Sequence, residues 1–231
     1  MTAIIIIFYN NPSFLLAQHQ HLKAFCTDRY ELLVVDNSTD TEAIKAIKYH
    51  SDRLGLKYLK TNATSRNGSD SHAFAANLAY QKYQPLYDVL MFLDHDCFSV
   101  KSFSPSGILG QKNLMAGLGQ QENKYYWPGC LIVHNSVPID FTPRDGMDTG
   151  AGTSKAILSH PDACIFFNET YEQNPYFNKS QYNFYALINN GMFFHFINGS
   201  NWNNSAENEE RLNSLINVLQ EVASNNLKKE L

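Results

Sequence analysis

Four short strand-like segments, separated by helix-length segments, constrain the fold of this chain more than any other feature. They lie at Ala3–Tyr9, Glu31–Asp36, Leu56–Leu59 and Val89–Leu93. All but the third contain a continuous apolar run, which is typical of a strand buried on both faces of a sheet. Strands that alternate with helices form βαβ crossovers, which join parallel neighbours. We therefore predict a single-domain α/β fold with an open, mostly parallel sheet flanked by helices.

Helix signals fill the segments between these runs. Pro12 opens the first predicted helix, in which apolar residues recur at helical spacing. Thr39 or Asp40 caps the second helix, because a short polar side chain can accept from the free amides of a first turn. Ser71–Tyr83 is the third predicted helix.

The second half of the chain has a less regular pattern. We predict strands at Leu131–His134 and Phe193–Ile197, and a functional loop at Pro138–Lys155, which is rich in Pro, Gly, Asp and Thr. Ala206–Lys228 reads as an amphipathic helix. Its predicted apolar face consists of Leu212, Leu215, Ile216, Leu219 and Val222.

Charge and composition exclude several classes of protein. The net charge of −4 and the lack of a basic block argue against a nucleic-acid partner. The four cysteines form no C-x-x-C pair, so neither a zinc ribbon nor a dithiol redox motif is expected. Ala3–Tyr9 is too short to span a membrane and lacks the basic lead-in of a signal peptide. We expect a cytoplasmic protein.

The sequence allows three interpretations of what the predicted C-terminal helix packs against. Packing on its own domain is the default. Pairing with a second copy, which would give a homodimer, and peripheral contact with a membrane are the alternatives. The mixed, acidic polar face makes the membrane the weaker of these two.

The strongest candidate site is Asp94-His95-Asp96, directly after the apolar run VLMFL. Ligands of open α/β sheets bind in the crevice beyond the carboxyl ends of the strands. At strand spacing, Asp94 and Asp96 would share one face and reach a hard divalent cation together. A solvated loop at a strand end is the alternative interpretation.

Two further segments lie near predicted strand ends. Asp36, in VVDNSTD, could accept hydrogen bonds from a ribose or a base, although plain helix capping would also explain the segment. Arg66 could face a phosphate. Asn77 lies on a helix of Ala, Phe and Leu, where its amide needs a partner. A helix N-terminus in a loop is the alternative for both.

The second half contributes a carboxylate and a histidine. Asp148 lies in the Gly-rich segment GMDTGAG, where a carboxylate is a candidate general base, with a surface turn as the alternative. His195 lies in the aromatic run FFHF. A histidine in such a run is more often a core residue, but after a D-x-D it is also a candidate metal ligand.

Together these segments resemble the GT-A nucleotide-sugar glycosyltransferases, and the family 2-like members in particular. The resemblance runs from the strand AIIIIFYNN through VVDNSTD, the stretch RNGSDSHAFAANLA and the D-x-D signature FLDHD. It covers Ala3 to about Trp202. It implies a GT-A domain over residues 1–204, with a nucleotide-binding half (1–100) and an acceptor half (101–204), followed by the C-terminal helix (205–231).

The resemblance also implies roles for residues. A nucleoside-diphosphate sugar, UDP-linked by preference, would be the donor, and a glycan, lipid or protein hydroxyl would be the acceptor. Mn²⁺ or Mg²⁺ would be held by Asp94, Asp96 and His195. Asp148, with Asp145 in reserve, would take the acceptor's proton. The nucleotide would be contacted by Phe8, Tyr9, Asn10, Asp36, Asn37, Ser38, Arg66, Asn77, Asp94 and His95.

Other functions remain open at this stage. A phosphatase would use Asp94 as its nucleophile, but that motif normally follows the first strand of a chain. Asp148-Thr149-Gly150-Ala151 also matches the aspartic-protease signature, which needs two copies, and this sequence has one. A non-catalytic homologue would bind a nucleotide sugar or a glycan without turnover.

Overall fold

The computed structural model describes residues 1–62, 68–144, 146–173, 184–196 and 213–222. Its strands are β1 (Thr2–Phe8), β2 (Tyr30–Asp36), β3 (Lys57–Lys60), β4 (Val89–Asp94), β5 (Cys97–Ser99), β6 (Met115–Gln120), β7 (Tyr125–His134), β8 (Cys164–Phe167), β9 (Glu169–Gln173), β10 (Phe184–Ile188) and β11 (Phe193–His195). Its helices are α1 (Ser13–Phe25), α2 (Thr41–Arg53), α3 (Gly68–Tyr83), α4 (Pro105–Leu109), α5 (Ser154–Ser159) and α6 (213–222).

Seven strands form the main sheet, in the order β3-β2-β1-β4-β7-β6-β8. The four neighbouring strands β3, β2, β1 and β4 are parallel to one another. Strand β7 is antiparallel to both β4 and β6, and β8 is parallel to β6. The predicted mostly parallel α/β sheet is confirmed. Asp36 pairs with Phe8 in register, and Asp94 pairs with Ile7, so both carboxylates lie at the same edge of the sheet.

The central strand β1 is buried on both faces, as its apolar run predicts. Ile4, Ile6 and Phe8 belong to one core cluster, while the intervening Ile5 and Ile7 belong to another. This alternation follows from the two-residue period of a strand. Helices α1 and α3 therefore cover opposite faces of the sheet.

A second, antiparallel sheet follows the order β5-β11-β10-β9. Strand β4 passes into β5 through a turn at His95 and Asp96. β11 pairs with β5, and His195 lies opposite Cys97 in register. A histidine about 100 positions further along the chain is thereby placed beside the acidic turn.

Helix α6 packs on its own domain, which was the default expectation. Leu215, Val218 and Leu219 are buried in the core cluster that contains Phe8. The prediction that Ile216 belongs to the apolar face is wrong, because its side chain is 40% exposed. Within the described part of the chain, no helix is both long and apolar enough to cross a membrane.

Candidate active site

Helix α1 supports the turn that carries Asp94 and Asp96 through hydrogen bonds from Gln18. The side chain of Gln18 is completely buried, and its Nε2 donates to the carbonyl oxygens of Asp94 (3.2 Å), His95 (3.0 Å) and Cys97 (2.7 Å). Because β4 ends at Asp94, the regular alternation of side chains ends there too. Asp94 and Asp96 accordingly have different partners.

His95 lies inside the protein. It is 2% exposed, its ring stacks on Phe8 at 5.9 Å between centroids and lies 5.3 Å from the ring of Phe14. Its Nδ1 is 3.0 Å from the carbonyl oxygen of Ile7. Phe8 is likewise fully buried. This burial favours a packing role for both residues, and nucleotide contact through them stays a prediction.

Asp94 is paired with His72, which lies near the start of α3 and which the sequence reasoning missed. The distance from His72 Nε2 to Asp94 Oδ1 is 3.0 Å. Burial lowers the pKa of His72, but the carboxylates of Asp94, Asp148 and Asp96 outweigh it, so that pKa is raised. Burial raises the pKa of Asp94, but the neighbouring imidazoles, His72 foremost, leave it below its usual value. The two groups therefore stabilise each other's charged form.

Asp96 faces His195 from the other side of the turn. Asp96 is 1% exposed, and its Oδ1 lies 3.8 Å from His195 Nε2. Two donors that share one cation at about 2.1 Å lie about 3 Å or more apart, so this spacing suits a shared ion. Among the described residues, no group of three His, Cys, Asp or Glu side chains is spaced to hold a metal.

Two protein ligands nevertheless match the chemistry of a nucleotide-bound cation. Mg²⁺ is commonly held by one or two carboxylates and completes its shell with waters and substrate phosphates. Carboxylate oxygens also suit Mn²⁺. The pair formed by Asp96 and His195 therefore fits a cation that arrives with a diphosphate.

Asp148 and His195, far apart in the sequence, line one cleft of about 290 Å³. The cleft lies where the ends of the two sheets meet, since β6 and β7 contribute to one side and β9 and β11 to the other. Its other lining side chains include Trp127, Glu169 and Tyr171. Sequence reasoning missed these three residues.

The Asp148 side chain is exposed, and the described protein groups hydrogen-bond to one of its two carboxylate oxygens. Its Oδ1 accepts from Ser69 Oγ and from the Thr149 amide at 2.7 Å. Among the described residues, no hydrogen bond goes to Oδ2. One carboxylate oxygen is thus fixed by the fold, and the other can accept from a ligand. Asp145, the predicted reserve, lies outside the described residues.

The Asp36 carboxylate is occupied by the fold. Asp36 is 0% exposed, its Oδ1 accepts from the Ser38 amide at 2.9 Å, and its Oδ2 accepts from the Tyr58 hydroxyl at 2.6 Å. Lys60 Nζ donates to the carbonyl oxygens of Asp36 (3.3 Å) and Ser38 (2.9 Å). This geometry favours a structural role, and contact between Asp36 and a base or ribose stays a prediction.

Asn10 and Asn37 tie together the loops beyond the strands. Asn10, at φ 51°, accepts at its Oδ1 from the amides of Thr39 and Asp40, both at 2.9 Å. Asn37 Nδ2 donates to Ser71 Oγ at 2.8 Å. Asp40, not Thr39, caps α2, because its side chain accepts from the Ala43 amide. Tyr9 is partly exposed at this edge.

Asn77 has the partners that its position on α3 demands. Its Oδ1 accepts from the Phe141 amide at 2.9 Å, and its Nδ2 donates to Asp140 Oδ1 and Thr142 Oγ1, both at 3.3 Å. Asn77 therefore fastens α3 to the loop after β7, and its contact with a nucleotide stays a prediction. Arg66 lies outside the described residues.

No protein-family model and no curated protein matches the sequence, whereas solved structures match the fold. One is the mannosyltransferase PcManGT from Pyrobaculum calidifontis, in complex with GDP-Man and Mn²⁺, at 12% identity and a TM-score of 0.53. The match covers 71% of this chain and 54% of that one. The chain has a GT-A-like α/β fold. It spans about half the length of that mannosyltransferase.

Two further solved structures match with TM-scores below 0.5. TarS from S. aureus matches at 14% identity and a TM-score of 0.48, over 68% of this chain and 33% of that one. The galactosyltransferase LgtC matches at 13% identity and a TM-score of 0.40, over 70% and 66%. At 12% identity, the match to the mannosyltransferase supports the fold alone.

Proposed function

We propose that this chain is a metal-dependent glycosyltransferase that moves a sugar from a nucleoside-diphosphate sugar to an acceptor hydroxyl. One observation carries the proposal. His195 lies beside the Asp94-His95-Asp96 turn at the carboxyl end of the sheet and lines one cleft together with Asp148, although 101 positions separate Asp94 from His195 in the sequence. The crevice at this edge is where open α/β sheets bind their ligands.

We assign different roles to the residues of the site, according to their charge and exposure. Asp96 and His195 would hold Mn²⁺ or Mg²⁺ together with the diphosphate oxygens. When bound, the cation neutralises negative charge on the leaving diphosphate. His72 holds the Asp94 carboxylate in place at 3.0 Å. The loops that Asn10 and Asn37 tie together would border the base, for which we propose uracil.

Asp148 is proposed as the general base. The acceptor oxygen forms a new bond to the anomeric carbon, and its proton moves to Asp148. The bond between the anomeric carbon and the diphosphate oxygen breaks, and its electron pair leaves with the nucleoside diphosphate. This single displacement inverts the anomeric centre. It needs a carboxylate that is open to the acceptor, and Asp148 is exposed at the cleft.

The test is a thermal-shift panel of UDP, GDP, CMP and dTDP, each with Mn²⁺, Mg²⁺ or EDTA. A nucleotide at about 100 times its Kd adds about 2.7 kcal/mol to the folded state. For a chain of this size that raises the Tm by about 5–10 °C. We expect one diphosphate to stabilise the protein only with metal. Asp96→Asn should abolish the shift, whereas Asp162→Asn, an exposed control, should keep it.

Turnover separates catalysis from simple binding. Asp148→Asn should bind the nucleotide as the wild type does and lose transfer by about 100-fold or more. If no nucleotide shifts the Tm, the glycosyltransferase proposal fails, and a phosphatase that uses Asp94 becomes the next hypothesis. If binding occurs but the wild type transfers and hydrolyses nothing, the chain is a non-catalytic nucleotide-sugar binder.

A further inference from the structure

We propose that the acceptor is a neutral sugar, whose pyranose ring stacks on the indole of Trp127 in the cleft beside Asp148. The proposal deepens the proposed function, on which it rests for the reaction but not for the binding. It narrows the chemical class of the acceptor to a sugar, where the proposed function alone allows a glycan, a lipid or a protein. Three features of the cleft support it: the fixed orientation of Trp127, the polar groups around that residue, and the charge of the lining.

The Trp127 ring is held in one orientation by its neighbours. A Cβ at Gly129 would lie 2.1–2.4 Å from three atoms of the indole's six-membered ring, so the ring lies directly over the glycine Cα. The His195 ring lies 4.7 Å away, tilted by 42°. Gly129 is two residues after Trp127 on β7, in the stretch where the pairing of β7 with β6 shifts register. A pre-oriented aromatic ring loses little entropy when a ligand binds.

A stacked pyranose needs both an apolar surface and hydrogen-bonding groups at its edge. The C–H groups of a sugar ring form an apolar face that packs on an aromatic ring, while its hydroxyls point outward. The cleft supplies Glu169 and Tyr171 on one face of the edge strand β9, where the Tyr171 hydroxyl donates to Glu169 Oε2 at 2.9 Å. The acceptor positions that remain on the Glu169 carboxylate and the Tyr171 oxygen match the O–H donors of sugar hydroxyls.

The volume and charge of the cleft favour a small, neutral acceptor group. At about 290 Å³ the cleft lies just below the range of small-molecule sites, about 300–1,000 Å³. Of the charged groups that line it, Asp148 and Glu169 are carboxylates, and none of the described lining residues is Lys or Arg. These two carboxylates disfavour an acceptor phosphate next to them.

The experiment uses the two tryptophans of the chain as reporters. Protein labelled with 5-fluorotryptophan gives two ¹⁹F resonances, and the one missing from Trp127→Phe is that of Trp127. The probes are methyl glycosides of mannose, galactose, glucose and N-acetylglucosamine, together with glucose 6-phosphate, a serine- and threonine-rich peptide and dihexanoyl phosphatidylglycerol. We expect at least one methyl glycoside to shift the Trp127 resonance saturably, with a Kd of about 1 mM.

Matched variants test the assigned contacts. Glu169→Gln should weaken this glycoside about 3–10-fold, because a charged acceptor is lost. Glu172→Gln, also on β9 but on its other face, should leave the Kd unchanged. Gly129→Ala should shift the Trp127 resonance without any ligand and weaken the glycoside at least 10-fold. A Tm close to that of the wild type shows that each variant is folded.

Three results would overturn the proposal. They are no saturable shift with any glycoside up to 100 mM, tighter binding of the peptide, phospholipid or sugar phosphate than of the glycosides, and equal effects of the Glu169 and Glu172 variants. The proposed function fails separately. Glycosides that bind while no nucleotide shifts the Tm would leave a sugar site without a transferase, whereas the reverse would leave a transferase with another acceptor.

Discussion

Replacing Gln18 with leucine should destabilise the turn that carries Asp94 and Asp96. The substitution changes no residue that lines the cleft. The Gln18 amide lies in the core, and its single nitrogen donates to three carbonyl oxygens between Asp94 and Cys97. Those carbonyls belong to a turn that leaves one sheet and enters the other, so neither sheet pairs all of them. Leucine fills a similar volume and donates nothing.

The size of the effect follows from the hydrogen bonds lost. Each buried carbonyl left without a donor costs about 1–3 kcal/mol. The shortest two of the three bonds, 2.7 and 3.0 Å, should dominate the loss. Part of this loss is offset, because Gln18 Oε1 is buried with no partner among the described residues, and leucine removes it. We expect a net destabilisation of about 2–4 kcal/mol, or about 5–15 °C in Tm.

Urea unfolding and differential scanning fluorimetry would measure the loss, and Gln20→Leu is the matched control. Gln20 lies on the exposed side of the same helix, so its replacement should change stability by less than about 0.5 kcal/mol. The metal-dependent nucleotide shift should also weaken in Gln18→Leu, since the turn carries Asp96. Equal stability losses in the two variants would refute the claim that Gln18 supports the turn.

Three further substitutions test other parts of the fold. Burial raises the pKa of Asp28, but hydrogen bonds from two serines and a threonine outweigh it and leave that pKa below its ordinary value. Asp28→Asn should therefore lower the free energy of unfolding, measured with urea at pH 7, by about 1–2 kcal/mol. The difference from the wild type should shrink below about pH 4, because the unfolded chain takes up that proton before the folded protein does. A constant difference down to pH 3 would contradict this. Tyr58→Phe removes a donor to the buried Asp36 and should cost about 1–3 kcal/mol by the same assay; no change would mean that the carboxylate is satisfied without it. Gly150→Ala should lower the free energy of unfolding by about 1–3 kcal/mol, because φ is +98° and a Cβ would lie 2.1 Å from a β7 carbonyl oxygen. Gly146→Ala should lower it less, because φ there is +76° and no atom lies within 4 Å of the added Cβ.

The first half of the sheet was predictable because its signals are local. The runs at Ala3–Tyr9, Glu31–Asp36 and Val89–Leu93 are apolar enough to indicate strands buried on both faces, and β1, β2 and β4 lie there with bounds that differ by one residue. The second half was less predictable. Strands β5, β6, β8, β9 and β10 were not foreseen. The edge strand β9, with the sequence ETYEQ, carries little apolar pattern.

Candidate residues were found where chemistry and position coincide in the sequence. An acidic pair after an apolar run identifies a strand end, and the structure confirms that Asp94 ends β4. The partners of that pair carry no such local signal. His72 lies among the alanines of α3 and faces Asp94 only because α3 packs on the sheet face beside β4.

By itself, then, the sequence determined the alternation of strands and helices, the burial of the central strands and the edge at which polar groups collect, since these depend on periodicity and hydrophobicity along the chain. Tertiary structure alone decided which groups meet there. The register of β11 against β5 places His195 beside Asp96, and the junction of the two sheets joins Asp148 and Trp127 in one cleft. Such contacts depend on strand pairing between distant segments, which no local pattern encodes.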